Sequence, residues 1–240
     1  AYGGVVAEDP LVAKALEDAA DDLARRLGVA HLELRQRVRQ HEDWPRLDNY
    51  VTFRKVIEAT DEANLLAIPR KQRAMVRKGI KQGLVARFDT SVDRFFELYA
   101  HGMHRHGTPA LPRRFFEAVH SAFGEACSVL VIESAQAKAL SAVFSFYFRD
   151  EVIPYYAGDD EEARDLAAND FKYWALMQDA CARGLKVFDY GRSKVDTGSY
   201  AFKKNWGFEP TPLNYEFRLY KRDTVPQNNP SNRKYRYMIE

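Results

Sequence analysis

The 240-residue sequence is poor in cysteine and contains only Cys127 and Cys181. Two cysteines do not form the disulfide framework of small secreted proteins, so a reducing compartment is expected. The sequence also lacks any apolar run near the ~20 residues that a membrane-spanning helix needs. We therefore expect a protein without a transmembrane segment, located in the cytoplasm or at the inner face of the membrane.

A strong compositional bias is absent as well. Hydrophobic residues make up 46% of the chain and charged residues 29%, and the formal net charge is only +2. These values are typical of globular proteins and exclude a disordered, collagen-like or coiled-coil chain. The length suits one large domain or two small ones.

Acidic residues are missing between Glu62 and Asp89, although this stretch carries seven basic residues. Such a run is typical of a solvated helix face. It is equally typical of a surface that binds an anionic partner, such as a phosphate group or an RNA backbone. The candidate anion- or RNA-binding residues are Arg70, Arg73, Arg77 and Lys78.

Periodicity and capping residues predict alternating helices and strands along the chain. The first helix is expected between Asp9 and Gly28, because aspartate caps helices and glycine ends them. The other expected helices are residues 70–81, 92–106, 112–123, 161–183 and 200–205. The expected strands are residues 31–35, 50–56, 84–88, 127–132, 139–148, 152–156, 186–190 and 213–220.

Several strings resemble one protein family. The basic stretch 68–80 resembles the basic helix of FemAB-like proteins. The segments Tyr155-Tyr156-Ala-Gly158, Phe188-Asp-Tyr-Gly-Arg-Ser193 and Phe202-Lys-Lys-Asn-Trp-Gly-Phe208 resemble their second half. The element order also resembles the GNAT acyltransferase fold. The closest resemblance is to the FemAB-related branch associated with PEP-CTERM/exosortase systems.

The resemblance implies a mixed α/β fold, a GNAT-like mixed sheet flanked by helices. It also implies two tandem units. Residues 1–66 would be the C-terminal part of a first GNAT-like unit, residues 67–224 a complete GNAT-like domain, and residues 225–240 a poorly ordered tail. A weak internal repeat, in which Tyr2-Gly3-Gly4 resembles Tyr156-Ala-Gly158, favours the same arrangement.

The resemblance further implies an enzyme, an N-acyltransferase. The best-characterised members of the family transfer amino acids from aminoacyl-tRNA to an amine on a peptidoglycan precursor. We therefore expect a tRNA-borne donor, no permanently bound cofactor, and a cell-envelope or exopolysaccharide precursor, which can be membrane-linked, as acceptor. The alternatives are an acyl-CoA-dependent GNAT enzyme and a non-enzymatic RNA- or polysaccharide-binding module.

The segment that begins at Gly158 bears on the identity of the acyl donor. Coenzyme-A-dependent GNAT enzymes hold the pyrophosphate in a glycine-rich loop at the start of the long helix. Here four consecutive carboxylates, residues 159–162, follow Gly158. With the helix expected to begin at residue 161, these charges would repel a pyrophosphate. The sequence thus favours a donor other than acetyl-CoA.

Three residues are the catalytic candidates. Lys203 matches the lysine that the family places beside the acyl donor, where a cation stabilises an oxyanion or holds a phosphate. Asp189 lies within a strand and could orient the attacking amine or form an ion pair with Arg192. Tyr156 ends a strand where the sheet would splay, and strand alternation would turn Tyr156 rather than Tyr155 into the cleft. Core packing is the alternative for these tyrosines.

The substrate-binding candidates flank these positions. Arg192 and Ser193 are expected to face the cleft as binders of phosphate or carboxylate. Asn169 and Lys172 lie one helical turn apart and could contact one ligand. The complete candidate set is Tyr155, Arg192, Ser193, Phe202, Lys204, Asn169, Lys172 and Tyr2.

A histidine-rich stretch does not predict a metal site. His101 and His104 share a helical face, whereas His106 lies off it, and no cysteine or carboxylate pair completes a ligand set. The sequence also lacks a hydrolase nucleophile motif. We therefore expect neither a metal nor a hydrolase.

Overall fold

A computed structural model describes residues 2–105 and 107–226. His106 and most of the predicted tail, residues 227–240, lie outside the described residues. The α-helices within the described residues are Pro10–Arg26 (α1), Asp61–Ala67 (α2), Arg70–Lys81 (α3), Asp93–Arg105 (α4), Arg113–Phe123 (α5), Ala168–Ala182 (α6) and Gly198–Asn205 (α7). The strands are His31–Gln36 (β1), Arg46–Leu47 (β2), Tyr50–Val56 (β3), Val85–Asp89 (β4), Cys127–Glu133 (β5), Ala139–Phe148 (β6), Glu151–Asp159 (β7), Val187–Lys194 (β8), Pro210–Pro212 (β9) and Asn214–Leu219 (β10).

The strands form two sheets. The larger sheet has the order β4-β5-β6-β7-β8-β3-β9, and the smaller one has the order β1-β10-β2. Strands β4 to β7 pair antiparallel in succession, whereas β7 and β8 pair in parallel. The seven-stranded sheet is therefore mixed and flanked by helices, which confirms the predicted fold class.

The chain divides into two compact units that are discontinuous in sequence. Unit 1 comprises the described residues of Ala1–Thr52, Arg192–Tyr200 and Pro210–Glu240, and unit 2 comprises Phe53–Gly191 and Ala201–Glu209. This division differs from the expected boundary at residues 66 and 67. The reason is that β10, near the end of the described chain, pairs along its whole length with β1 near the beginning.

The core of unit 2 follows from the alternation of β5 and β6. Val129 and Val131 on β5, with Phe144 on β6, are fully buried against Phe95 of α4 and Phe116 of α5. The phenylalanine rings pack edge to face, with 5.1 Å between the centroids of Phe95 and Phe116. Intervening residues of β5 and β6 lie on the opposite face, where α6 packs.

Unit 1 has a smaller core on its three-stranded sheet. Alternate residues of the C-terminal segment, Leu213, Tyr215 and Phe217, are buried together. Helix α1 begins as predicted, because the Asp9 carboxylate accepts a hydrogen bond from the Leu11 amide at 2.8 Å. That contact satisfies an amide that the helix itself leaves without a partner.

The long helix α6 begins seven residues later than expected. Glu161–Ala163 forms a short 3-10 turn, and Ala167 adopts a left-handed conformation with φ of 58° immediately before α6. The predicted start at residue 161 is therefore wrong. A left-handed residue separates the two helical segments, so the acidic residues do not belong to the first turn of α6.

The part of the chain that the structure describes contains no helix long and apolar enough to cross a membrane.

Candidate functional site

The two parallel strands of unit 2 pair only at their beginnings. Glu151 is opposite Val187 and Val152 is opposite Phe188, and no further pairing is found between β7 and β8 in the described residues. Strand β7 nevertheless continues to Asp159. The sheet therefore opens beyond Val152, which is the splay expected near Tyr155 and Tyr156.

A β-bulge interrupts β7 at this opening. Phe144 is opposite Tyr156 and Ser145 is opposite Pro154, so Tyr155 is the extra residue. A bulge interrupts the alternation of side chains between the two faces of a strand. The rings of Tyr155 and Tyr156 accordingly approach each other, with 4.8 Å between centroids. The prediction that Tyr156 rather than Tyr155 faces the cleft assumed regular strand alternation. That alternation is interrupted at these two residues.

The two tyrosines have different surroundings. Tyr156 packs edge to face on Phe116, with centroids 5.2 Å apart, and burial raises the pKa of its hydroxyl. Tyr155 is 50% exposed and contacts Phe146. The packing that the sequence left as an alternative is thus present for Tyr156, and Tyr155 is the more accessible ring.

Asp189 is a buried residue of β8 that forms an ion pair with a neighbouring strand. Its side chain is completely buried, and its Oδ2 accepts a hydrogen bond from Arg54 Nη1 at 2.6 Å. Its Oδ1 accepts one from the Gly191 amide at 2.8 Å. Arg54 also forms an ion pair with Glu151. Arg54 of β3 is thus a partner of Asp189 that the sequence did not suggest, and the Asp189 side chain is enclosed within the protein.

Lys203 lies against β8 beside this ion pair. Its Nζ donates a hydrogen bond to the Gly191 carbonyl at 3.1 Å. The same Nζ lies 5.8 Å from the ring centroids of Phe53 and Tyr190, a distance at which a cation interacts with an aromatic face. Gly191 has φ of 68°, a conformation that glycine adopts without strain. The neighbouring Lys204 is exposed. The structure therefore distinguishes the two lysines by position.

An aromatic cluster supports α7 behind Lys203. Phe202 contacts Tyr190 and Tyr173, with centroids 6.2 and 5.7 Å away. Burial raises the pKa of Tyr190 well above its ordinary value, and its hydroxyl has no hydrogen-bond partner among the described residues. Trp206 donates a hydrogen bond to the buried Asp170 at 2.9 Å. Phe202 thus packs rather than pointing away from the protein.

Lys172 does not face a cleft, which corrects the predicted placement. It is completely buried on α6, and its Nζ is 2.8 Å from Asp159 Oδ1. Ser141 donates a hydrogen bond to the same carboxylate. The pair joins α6 to the end of β7. Asn169, one turn earlier, is half-buried.

The acidic segment after Gly158 does not form the beginning of the long helix, contrary to the prediction from the sequence. Asp160 and Glu162 both contact the Lys138 ammonium. A Cβ at Gly158 would overlap the backbone of Leu98 and Tyr99, so this glycine permits the close approach of α4 to β7. Repulsion at the helix start therefore does not argue against coenzyme A.

A different feature covers the start of α6. Ala167 and Ala168 are 2% and 0% exposed. Helix α3 approaches closely, because a Cβ at Gly79 would lie 3.4 Å from the Ala167 carbonyl oxygen and 2.8 Å from Phe171 Cβ. Helix α3 therefore packs closely against the beginning of α6.

The remaining substrate-binding candidates belong to unit 1. Arg192 lies over the Tyr50 ring, 4.5 Å from its centroid. Ser193 is buried rather than cleft-facing, and its hydroxyl oxygen accepts a hydrogen bond from Ser199 at 3.3 Å. The hydroxyls of Tyr2 and Thr52 are hydrogen-bonded at 2.7 Å.

Helix α3 presents a basic exposed face. Arg70, Arg77 and Lys78 are exposed, whereas Arg73 turns inward and donates hydrogen bonds to the Ile68 and Leu66 carbonyls. Arg73 therefore caps the end of α2, which corrects its predicted placement on the anion-binding surface. The exposed members of the basic face are Arg70, Lys71, Arg77, Lys78 and Lys81.

Sequence reasoning missed Arg54, Glu151 and the bulge. The ion pairs of Arg54 link residues more than 90 positions apart, and no local pattern signals such a pair. The bulge does have a local signal. Pro154 lies inside a strand, and proline in a strand interior marks an edge or a bulge.

His101 and His104 line a shallow cavity beside Arg105 and Lys138. Within residues 2–105 and 107–226, no group of histidine, cysteine or carboxylate side chains is arranged to hold a metal ion.

Comparisons with known proteins identify the family. The acetyltransferase (GNAT) domain matches residues 68–204. No curated protein matches the chain significantly. The solved structure of FemX is 14% identical, with a TM-score of 0.67 over 87% of this chain and 76% of FemX. The C-terminal domain of a putative lysylphosphatidylglycerol synthetase from Agrobacterium fabrum is also 14% identical, with a TM-score of 0.67 over 90% of this chain and 75% of that domain.

A tandem GNAT protein from the clavulanic acid biosynthesis pathway is 13% identical, with a TM-score of 0.54 over 91% of this chain and 73% of its own. At these identities the likeness concerns the fold, and at that level the predicted resemblance to FemAB-like proteins is confirmed. Because the family match extends over more than half of the chain, this protein belongs to the acetyltransferase (GNAT) family of acyltransferases.

Proposed function

We propose that this acyltransferase moves an aminoacyl group from an aminoacyl-tRNA to an amine of a cell-envelope or exopolysaccharide precursor. In this reaction the amine attacks the ester carbonyl, an amide bond forms, and the ester bond to the tRNA ribose breaks. The proton lost by the amine ends on the ribose hydroxyl that leaves. The protein must hold the carbonyl and stabilise its developing negative charge.

Lys203 carries the proposal. Its ammonium is fixed by the Gly191 carbonyl at 3.1 Å and by two aromatic faces, and the side chain is only partly buried. A cation that is already oriented needs little rearrangement as charge develops on the carbonyl oxygen. Lys203 is therefore the proposed catalytic residue, and Tyr155 and Tyr156 are proposed to contact substrate at the opening of the sheet.

Asp189 has a different proposed role. A completely buried carboxylate with bonds to Arg54 and the Gly191 amide cannot reach an incoming amine. It fixes the peptide that holds Lys203, so it acts as a positioning residue.

The charge of α3 supports the proposed donor. The exposed basic face of α3 suits a polyanion, because clustered lysines and arginines bind phosphate backbones. A tRNA is a polyanion of this kind.

The structural neighbours support the proposed acceptor class. The similar structure from Agrobacterium fabrum is described as the C-terminal domain of a putative lysylphosphatidylglycerol synthetase. An envelope precursor, with the enzyme at the inner face of the membrane, is the acceptor class that fits this likeness.

Acyl-CoA is the second candidate donor, and the description of the matched family as acetyltransferases favours it. A binding experiment separates the donors. Wild-type protein is titrated with a non-hydrolysable aminoacyl-tRNA analogue and with acetyl-CoA. A variant with Arg77→Glu and Lys78→Glu is then compared with Glu97→Gln, a charge change on α4.

We expect the analogue to bind, with an affinity that falls steeply with salt and falls at least tenfold in the α3 variant but not in the control. Binding of acetyl-CoA alone, unaffected by the α3 substitutions, would refute the tRNA donor and establish the alternative.

A further inference from the structure

Unit 1 contains a cavity of about 340 Å³ that the transfer reaction does not use. Two stacked tyrosines form one wall, with 5.1 Å between the ring centroids of Tyr50 and Tyr215. An arginine lies over each ring of this pair, and Arg192 Nη1 also donates a hydrogen bond to the Tyr215 hydroxyl at 3.4 Å. Arg192 is 4.5 Å from the Tyr50 centroid, and Arg35 is 5.1 Å from the Tyr215 centroid. The layers hold both guanidinium groups in defined orientations.

The charge of the lining is predominantly positive. Arg35, Arg192 and Lys194 line the cavity together with one carboxylate, Glu33. That carboxylate forms a two-point ion pair with Arg35, at 2.9 and 3.4 Å. Arg192 and Lys194 are alternate residues of β8, so both side chains extend from the same face of the strand. Two adjacent cations on one wall suit a dianion such as a phosphate ester.

The cavity also offers groups that recognise hydroxyls. Asn49 and Glu33 line it. A side-chain amide and a carboxylate both form hydrogen bonds with hydroxyl groups. The volume lies at the small end of ligand pockets, which span about 300–1,000 Å³. It suits a monosaccharide rather than a whole nucleotide cofactor.

We propose that unit 1 binds a sugar phosphate in this cavity. Arg192 and Lys194 hold the phosphate group, while Glu33 and Asn49 form hydrogen bonds with sugar hydroxyls. All four residues belong to unit 1. Arg192 is also a substrate-binding candidate of the sequence, but no step proposed at Lys203 uses it.

Calorimetry on the full chain tests the site without any acyl donor. Wild-type protein is titrated at low salt with glucose 1-phosphate, inorganic phosphate and glucose. The variants Arg192→Gln and Lys194→Gln are compared with Arg222→Gln, an exposed arginine of unit 1 that does not line the cavity. Lys203→Ala is included to separate this site from the proposed catalytic residue.

We expect glucose 1-phosphate to bind more tightly than inorganic phosphate and glucose not to bind. Each of the two cavity substitutions should weaken binding about tenfold or more, which corresponds to the loss of one charge-assisted hydrogen bond. Arg222→Gln and Lys203→Ala should bind as the wild type does. Lys194 is exposed, so its variant reports on binding even where Arg192→Gln fails to fold.

Three results would overturn the proposal. The first is the absence of glucose 1-phosphate binding at concentrations up to about 10 mM. The second is equal affinity for inorganic phosphate and glucose 1-phosphate, which would show that the protein does not recognise the sugar. The third is unchanged affinity in both cavity variants. None of these results bears on the activity of Lys203, so the two proposals fail separately.

Discussion

The ammonium of Lys203 and the carbonyl oxygen of Gly191 are joined by a hydrogen bond of 3.1 Å. The amide of the same glycine donates to Asp189, and Asp189 in turn binds Arg54. A half-buried cation on α7 is thus positioned by a buried ion pair between two strands. The arrangement makes the position of Lys203 depend on residues that need not touch substrate.

Replacing Lys203 with alanine should abolish most of the transfer activity. Loss of a group that stabilises an oxyanion costs about 10²–10³ in kcat. We expect a loss of that size in Lys203→Ala, measured as the rate of amide formation with a saturating donor.

Lys204→Ala is the matched control, because Lys204 is the adjacent lysine and is exposed. It should keep activity within about threefold of the wild type, as surface substitutions generally have small effects. Equal losses in the two variants would contradict a specific role for Lys203.

Substitutions of Asp189 should separate stability from positioning. Removing one partner of a buried ion pair costs about 3–5 kcal/mol, so Asp189→Asn and Asp189→Ala should both unfold at lower denaturant concentration. Asparagine keeps an oxygen that can accept from the Gly191 amide, and alanine does not. We therefore expect kcat per folded molecule to fall in Asp189→Ala and to be largely retained in Asp189→Asn.

Steady-state kinetics below the unfolding transition provides the check on Asp189. A purely structural role would leave kcat of the folded fraction unchanged in both variants, and that outcome would refute the positioning role.

Gly158→Ala should destabilise the protein strongly. The added methyl group would overlap the backbone of α4 at Leu98 and Tyr99, and a backbone cannot move aside as a side chain can. Overpacking of this kind costs about 1–3 kcal/mol or more. Gly198→Ala is the control, since nothing lies within 4 Å of a Cβ there and its φ is not positive. Urea unfolding followed by circular dichroism measures both, and equal midpoints would contradict the close packing.

Stability should fall at alkaline pH because of Tyr147. Burial raises the pKa of this hydroxyl to about 12, from 10.0 for an exposed tyrosine. A raised folded-state pKa means that the stabilisation is complete below pH 10 and is lost as the pH rises towards 12. We expect the unfolding free energy to decline in that interval, and Tyr147→Phe to make the decline shallower. An identical pH dependence in the variant would show that Tyr147 does not contribute.

Local patterns determined much of the fold. Helix α3 spans Arg70–Lys81 as predicted, since its boundaries depend on neighbouring residues: Pro69 precedes it and Gly83 follows it. Strands β6 and β7 also lie where alternation predicted strands at residues 139–148 and 152–156, because alternation is a local signal. The family resemblance, carried by short strings, led to the GNAT fold and to Lys203.

The site itself was decided by tertiary structure. Asp189 binds Arg54, which is 135 residues away in sequence, and no periodicity links them. The bulge at Tyr155 depends on how β7 pairs with β6, so strand alternation alone could not decide which of the two tyrosines faces the cleft. Lys172 was predicted to contact a ligand together with Asn169, yet it is buried and paired with Asp159.

The sequence by itself therefore determined most of the longer helices and strands, because backbone propensity and hydrophobic periodicity act over a few residues. It did not predict the short elements α2, β2 and β9. Only the tertiary structure decided which charged groups meet and which are enclosed. Those contacts join segments far apart in the chain, and burial, rather than residue type, determines whether a charged side chain can meet a substrate.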